Sequence, residues 1–294
     1  MAIILDGKVV SQKVKDRIAE EVSRIRNSGG KIPHLAAVLV GEDGASKSYV
    51  AGKVKACEYV GITSTLKKFD DTISEEELLG IVDELNDDKD VDGYIVQLPV
   101  PKHISPQKIT ERIRPEKDVD GFHPVNVGRM VKNLPAYISA TPFGVLKLLE
   151  HYNVPTEGKN CVIIGRSDIV GTPLSILLSR KANPGNCTVT LCHSKTRDIK
   201  AYSREADIVV AALGIPEFLT ADMVKEGAVV IDVGISRVPD AGAKKGYVVK
   251  GDVKFDEVEP KASYITPVPG GVGLMTIAAL LSNTVDASQK KIYK

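Results

Sequence analysis

The sequence predicts an α/β protein of two domains, and three observations carry that prediction. Its 294 residues amount to about two domains of ~150 residues each. Short apolar runs of strand length alternate with segments of helical periodicity, the pattern of sheets joined by crossover helices. A proline-punctuated stretch, Ser105 to Pro142, separates one such alternation from a second and is expected to contain the domain boundary.

Element by element, a short opening strand precedes a helix from Lys8 to Ser28, with Val and Ile at helical spacing and Gly29-Gly30 as its stop. His34 to Val40 (HLAAVLV) reads as a strand and Ser46 to Val60 as a helix that places Tyr49 and Lys53 on one face. Thr63 to Phe69 is a second strand. Ser74-x-x-Glu77 is a capping-box signature opening a helix to Leu85, and Val91 to Leu98 is a third strand. Each connection is a crossover, so this sheet is expected to be largely parallel, with functional groups at the C-terminal strand ends. After an amphipathic helix from Phe143 to Tyr152, the alternation resumes. Strand CVIIG from Cys161, a helix Pro173 to Arg180, strand CTVTLC, a helix to Ala206, strand DIVVAALG, a helix Ala221 to Glu226 and strand AVVIDVGI follow in turn. The last helix is expected from about Met275 to Ala287.

Composition excludes several classes of function. Hydrophobic residues are 43% and charged residues 26%, ordinary globular usage. Lys plus Arg (39) balance Asp plus Glu (38), so no global field attracts nucleic acid or an anionic membrane, and an anionic ligand needs a local site. Aromatics are 5% with no Trp, a poor supply for base stacking. Cys57, Cys161, Cys187 and Cys192 form no CxxC pair and no zinc-ligand spacing, so neither a disulfide framework nor a metal is expected. With no apolar run of signal-peptide or membrane-spanning length, a reducing, cytoplasmic setting is the expectation.

Strand CVII runs directly into Gly165-Arg166-Ser167-Asp168-Ile169-Val170-Gly171 and then a helix. A glycine-bearing turn between strand and helix lets backbone N–H groups face a diphosphate, the Rossmann-like arrangement. The pattern is G-x-S-x-x-x-G, weaker than G-x-G-x-x-G, and a plain tight turn is its bland alternative. The following strand ends Cys192-His193-Ser194-Lys195 with no carboxylate for ribose hydroxyls, while Arg166 and Ser194 suit a 2′-phosphate. NADP is therefore favoured over NAD. Tyr49-x-x-x-Lys53 on its own is an ordinary surface pair, and it lies more than a hundred residues before the nucleotide turn, unlike the Y-x-x-x-K of short-chain dehydrogenases. Gln97 at a strand end and Asp118 and Asp120 in a turn are individually unremarkable.

Seven runs taken together are specific: Ala45-Ser-Lys-Ser-Tyr-Val-x-x-Lys53, Val96-Gln-Leu-Pro-x-Pro101, Lys117-Asp-Val-Asp-Gly-Phe-His-Pro124, Thr141-Pro-x-Gly144, Gly165-Arg-Ser-x-Ile-Val-Gly171, Val230-Ile-Asp-Val-Gly-Ile235 and Tyr264-Ile-Thr-Pro-Val-Pro-Gly-Gly-Val-Gly273. Spanning the chain in order, they resemble the bifunctional methylenetetrahydrofolate dehydrogenase/cyclohydrolases of one-carbon metabolism. Leu274 stands where that family usually has proline.

The resemblance implies a folate-binding catalytic domain (1–140 plus 275–294), a Rossmann-like NADP-binding domain (141–274) and a cleft between them. It implies oxidation of 5,10-methylenetetrahydrofolate to the methenyl cation, then hydrolysis to 10-formyltetrahydrofolate, in a homodimer that uses neither nucleic acid nor membrane. Lys53 is the implied general acid/base, Gln97 its orienting partner, Tyr49 a folate platform and Asp120 the carboxylate for the pterin's donor edge. Ser46 supports the lysine side. Val96, Leu98 and the Pro269-Gly270-Gly271-Val272 loop line the substrate, and Gly165, Arg166, Ser167, Ser194 and Ile235 hold the dinucleotide, with Ile235 against the nicotinamide. A dehydrogenase without cyclohydrolase activity, another two-domain dehydrogenase of the shikimate or malic type, and a non-catalytic NADP-binding protein are the rival readings. The Val96-Gln-Leu-Pro run and the glycine-rich terminal loop have no place in the shikimate or malic type.

Overall fold

The computed structural model describes residues 1–243 and 246–294. In chain order the elements are β1 (Ile3–Ile4), α1 (Gly7–Asn27), β2 (His34–Val40), α2 (Gly44–Val60), β3 (Thr63–Phe69), α3 (Glu75–Asp87) and β4 (Gly93–Val96). Then come α4 (Pro106–Arg112), α5 (Pro124–Val131), α6 (Ala140–His151), β5 (Asn160–Ile164), α7 (Gly171–Ser179), β6 (Thr188–Cys192), α8 (Ile199–Ser203) and β7 (Ile208–Ala211). The chain closes with β8 (Val229–Asp232), β9 (Ser236–Pro239), β10 (Tyr247–Lys250), α9 (Phe255–Val258), β11 (Tyr264–Ile265) and α10 (Met275–Ser288). Two compact α/β units result: Gln12–Ala140 with Ile277–Lys294, and Met1–Ser11 with Thr141–Thr276.

In the first of these units a parallel sheet has the order β3-β2-β4. Its central strand is apolar from Leu35 to Val40 because both faces are covered there. Leu35, Ala37 and Leu39 face a core completed by Ile18, Val22, Val50, Leu280 and Leu281. Ala36, Val38 and Val40 face the opposite core, with Leu78, Val82, Leu85 and Ile109. That two-residue alternation is the pleat of β2 expressed as packing. Edge strand β3 instead carries Lys67 and Lys68, which keep its open side from pairing with another chain. β4 is shorter than expected: Gln97 N still donates to Val38 O of β2, but Pro99 has no N–H to continue the pairing. The box expected at Ser74 is present, with Ser74 and Glu77 bonding reciprocally at the start of α3.

The other unit contains a six-stranded sheet ordered β1-β11-β8-β7-β5-β6, parallel throughout. From β5 the chain goes outward to β6 and then returns to the other side of β5 as β7, so the strand order reverses between β5 and β7. A crevice at such a reversal is the usual ligand position of an open parallel sheet.

Several expectations are corrected. The opening strand, placed with the first domain, instead pairs with β11 in the six-stranded sheet, Ile3 opposite Tyr264 and Ile4 opposite Ile265. A two-residue strand carries no periodicity, so only its distant partner decides where it belongs. The helix expected over Ala221 to Glu226 is a single 3-10 turn, Ala221–Met223, because Val224 is already extended and buried. The helix expected to reach Ala206 is only α8, started by Asp198, whose carboxylate accepts from Ala201 N. An antiparallel pair, β9 with β10, was not foreseen; its half-exposed, mixed residues lack clear alternation.

Candidate active site

Helix α2 sets out the first group of side chains. Asp43 caps it by accepting from Ser46 N at 2.7 Å, and Gly61 ends it in the left-handed conformation. Between these stops Ser46, Tyr49 and Lys53 fall three and four residues apart, on one face. Ser46 is buried, Tyr49 is exposed over about half its surface, and Lys53 is half-buried.

Lys53 Nζ donates to Gln97 Oε1 at 3.0 Å. The amide cannot turn freely, because its Nε2 donates to Leu98 O at 2.7 Å and its backbone N to Val38 O at 2.9 Å. Gln97 therefore presents an acceptor, and only an acceptor, to the lysine. Burial lowers the Lys53 pKa from the ordinary lysine value, and the negative charge of Asp120 partly opposes it. Asp120 is the mirror image: burial raises its carboxyl, and Lys53 pulls it back. The two directions agree on a lysine and a carboxylate that feel each other without a direct hydrogen bond. Cys57, one turn beyond Lys53, is a buried thiol pushed up to about 12 by burial and is not a nucleophile. Val96 and Leu98 line a cavity of about 20 Å³ with Asp118 and Asp120, space for about one water.

The loop carrying Asp120 is held by Asp118 and by groups that come from other parts of the chain. Tyr94 N donates to Lys117 O at 3.1 Å, and the chain passes so close to β4 that a Cβ on Gly93 would stand 2.2 Å from Val119 Cγ1. Gly121 has φ +72°, and a Cβ there would meet the 137–139 backbone at 2.8 Å, so this turn requires glycine. Asp118, fully buried, accepts from Phe122 N at 3.2 Å, His123 N at 2.8 Å and Asn126 Nδ2 at 2.9 Å. Burial pushes its carboxyl up to about 7 against those three donors. Asn126 also donates to Pro115 O at 2.9 Å and accepts from Tyr293 OH at 2.8 Å. Asp118 was visible beside Asp120, but the link from Asn126 to Tyr293 spans 167 residues and has no local signature.

Asn126→Ala is expected to destabilise this unit by about 3 kcal/mol, since it takes one of two donors from the buried Asp118 Oδ2 and removes the partner of both Pro115 O and the Tyr293 hydroxyl. Tyr293→Phe, which removes one of those bonds, should cost about 1 kcal/mol. Urea unfolding midpoints check both, and equal effects would contradict the network.

In the other unit, β5 ends at Gly165, with φ +121°. A Cβ there would stand 2.0 Å from Ala212 O, across the strand reversal, and one on Gly171 would stand 1.9 Å from Gly165 O. Strand, turn and helix are in backbone contact, and Arg166 and Ser167 stand exposed on the rim. This cradle fits a dinucleotide's phosphates at the start of α7. Asp198 caps α8, while His193 and Thr196 close the turn after β6 on themselves. Ser194 is left exposed beside Lys195 and Arg197, a donor set suited to a phosphate. Gly171 and Ala212 belong to the cradle although only the motif, not its distant wall, was readable.

The Pro269–Val272 loop lies in this same unit. Gly7 N donates to Gly270 O at 2.8 Å, and a Cβ on Gly7 would stand 2.0 Å from Gly271 O, so the start of α1 backs the loop closely. Pro269 is exposed, Gly270 has φ +116°, and Gly271 and Val272 are buried. Leu274 N donates to Gly271 O at 3.2 Å, a bond that a proline at this position could not make. Ile235 is half-exposed, and a Cβ on Gly273 would stand 2.7 Å from its Cδ1. Among the described residues no group of three or more His, Cys, Asp or Glu is placed to hold a metal, and no helix is long and apolar enough to cross a membrane.

Comparison with known proteins finds matches to both parts of the chain. The catalytic-domain model of tetrahydrofolate dehydrogenase/cyclohydrolase matches residues 5–120, and the NAD(P)-binding-domain model of the same family matches 139–292. The bifunctional protein FolD of Cytophaga hutchinsonii is 60% identical over 288 residues, 98% of this chain and 99% of the relative. That of Phocaeicola vulgatus is 60% identical over 99% of both chains. Among solved structures, the bifunctional FolD enzyme of Campylobacter jejuni superposes with a TM-score of 0.92 at 46% identity, covering 99% of this chain and all of the other. The Trypanosoma brucei dehydrogenase-cyclohydrolase, solved with NADP and an inhibitor, gives 0.92 at 37% identity over 100% and 99% of the two chains. With both family models matched in order and relatives this similar over nearly the full length, the chain belongs to the tetrahydrofolate dehydrogenase/cyclohydrolase family.

Proposed function

We propose that the protein oxidises 5,10-methylenetetrahydrofolate to 5,10-methenyltetrahydrofolate with NADP and hydrolyses the product to 10-formyltetrahydrofolate. The observation that carries this reading is the Lys53–Gln97 contact of 3.0 Å, in which a half-buried lysine of lowered pKa is held by an amide unable to turn. When bound, NADP accepts a hydride from the folate's methylene carbon. The remaining chemistry belongs to the chain. A neutral Lys53 amine takes a proton from the water that attacks the methenyl carbon, and the resulting ammonium returns it to the folate nitrogen as the C–N bond breaks, while the remaining hydroxyl proton leaves to solvent as the formyl C=O forms. A cationic substrate disfavours the ammonium further, which enlarges the neutral fraction.

Gln97 aims the amine, Tyr49 offers an exposed ring for the pterin or its benzoyl group, and Asp120 accepts from the pterin's amide and amine. Ser46 is a buried support of the lysine helix. Val96 and Leu98, beside Asp120, shape the folate site. On the dinucleotide, Gly165, Arg166 and Ser167 take the diphosphate, Ser194 with Arg166 the 2′-phosphate, and Ile235 the nicotinamide. The family resemblance further supports a cytoplasmic homodimer acting on soluble tetrahydrofolates.

One progress curve tests the reading: methylenetetrahydrofolate with NADP should produce methenyl absorbance that then decays faster than in buffer, and NAD should support a slower rise. Methenyl accumulation without accelerated decay would leave a dehydrogenase alone. No signal with either dinucleotide would refute both.

A further inference from the structure

At the C-terminal ends of β7 and β8 two buried carboxylates lie back to back. Asp232, the last residue of β8, accepts from Gly234 N and Asp252 N on Oδ1 and from Val253 N on Oδ2, each at 2.9 Å. A Cβ on Gly251 would stand 1.9 Å from Asp232 Oδ2, so the backbone is drawn tightly around it. Asp252, completely buried, accepts on Oδ2 from Leu213 N at 2.6 Å and Gly214 N at 2.9 Å, in the loop that follows β7. Its Oδ1 has no hydrogen-bond partner among the described residues. That atom sits against Gly234, where a Cβ would stand 2.3 Å from it, and Gly234 immediately precedes the half-exposed Ile235. The charged neighbour that the Asp232 carboxyl feels is Asp252, not a cation.

An unpartnered carboxylate oxygen in a protein interior is costly, and its field is poorly screened there. Backbone N–H dipoles satisfy three of the pair's four oxygens, but the fourth is left bare on the side of Gly234 and Ile235. Glycine at 234 is what lets the oxygen approach that surface. Burial raises the Asp232 carboxyl to about 6, which still leaves it ionised above neutrality.

We propose that the Asp232–Asp252 pair sets the redox preference of the dinucleotide site: its negative charge, bare on the side of Gly234, holds the cationic oxidised nicotinamide ring more tightly than the neutral reduced one. The inference rests on the reading that the nicotinamide lies against Ile235. Asp252 is then a specificity-determining residue that need not touch the ring, and its effect is confined to the part of the ligand that changes charge.

The test titrates the protein at mildly alkaline pH with NADP, with NADPH and with 2′-phospho-ADP-ribose, which has the phosphates but no nicotinamide. The wild type is expected to bind NADP more tightly than NADPH. Asp252→Asn keeps an acceptor for Leu213 and Gly214 N–H while removing the charge. It should weaken NADP by about tenfold, from the Coulomb energy of charges several Å apart at partial screening, and leave NADPH and the fragment nearly unchanged. All three affinities moving together in the variant would reduce Asp252 to a structural role and overturn the proposal, as would no change at all. A wild type that binds NADPH as tightly as NADP overturns it without any variant. Failure of both dinucleotides to bind the wild type would instead refute the reading of the site on which the proposal rests.

Discussion

Lys53→Met is expected to reduce cyclohydrolase turnover by about 10³-fold, within the range by which a positioned acid/base accelerates proton transfer. Methionine has similar length and no basic nitrogen, so burial beside Gln97 stays feasible while proton transfer is lost. The measurement is decay of methenyl absorbance against the buffer rate. The wild-type rate should rise with pH through a group lying below the ordinary lysine value, because burial favours the neutral amine over the ammonium. The variant should lack that rise. Gln97→Ala should keep the rise but displace it and lower the maximum less than Lys53→Met does, since an acceptor that fixes the amine is lost while the base remains. Undiminished ring opening in Lys53→Met would remove the lysine from the reaction.

Gly165→Ala is expected to abolish measurable NADP binding, at least about 10²-fold, for two separate reasons. A Cβ would stand 2.0 Å from Ala212 O, and the backbone at φ +121° lies outside what an L side chain readily adopts. Relief requires β5 and β7 to separate at the strand reversal, where the phosphates are held. Dehydrogenase activity should disappear, whereas hydrolysis of added methenyltetrahydrofolate should persist, because Lys53, Gln97 and Asp120 belong to the other compact unit. Calorimetry with NADP and the methenyl decay assay separate the two effects. Loss of both activities would show that the substitution unfolds the chain instead.

The legible part of the molecule is the part recorded in short-range pattern. His34–Val40 and Thr63–Phe69 have the expected ends because β2 is apolar on both faces and β3 is bounded by turns. Tyr49 and Lys53 could be placed together from helical spacing alone, and Gly165 from its position between strand and helix, whereas Ser46 joined them only through the family resemblance. Their partners could not. The direction in which Gln97 points is set by Leu98 O and Val38 O, and the depressed lysine by burial and by Asp120, which is 67 positions away in the sequence. The expected helix over Ala221–Glu226 failed for a related reason: its one buried apolar residue, Val224, reaches the core of the six-stranded sheet from an extended backbone, a demand that one 3-10 turn before it meets as well as a helix would.

By itself, then, the sequence determined that this is a two-domain α/β protein with a strand–turn–helix cradle and a lysine helix, since periodicity and turn chemistry are local and act on neighbouring residues. Tertiary structure alone decided that Ile3–Ile4 completes the six-stranded sheet, that Asn126 joins Asp118 to Tyr293, and that Asp252 keeps one oxygen bare against Gly234. Each of these depends on which distant groups share a desolvated space. Hydrogen-bond satisfaction, close backbone approach and the cost of buried charge are properties of that space and not of any stretch of chain.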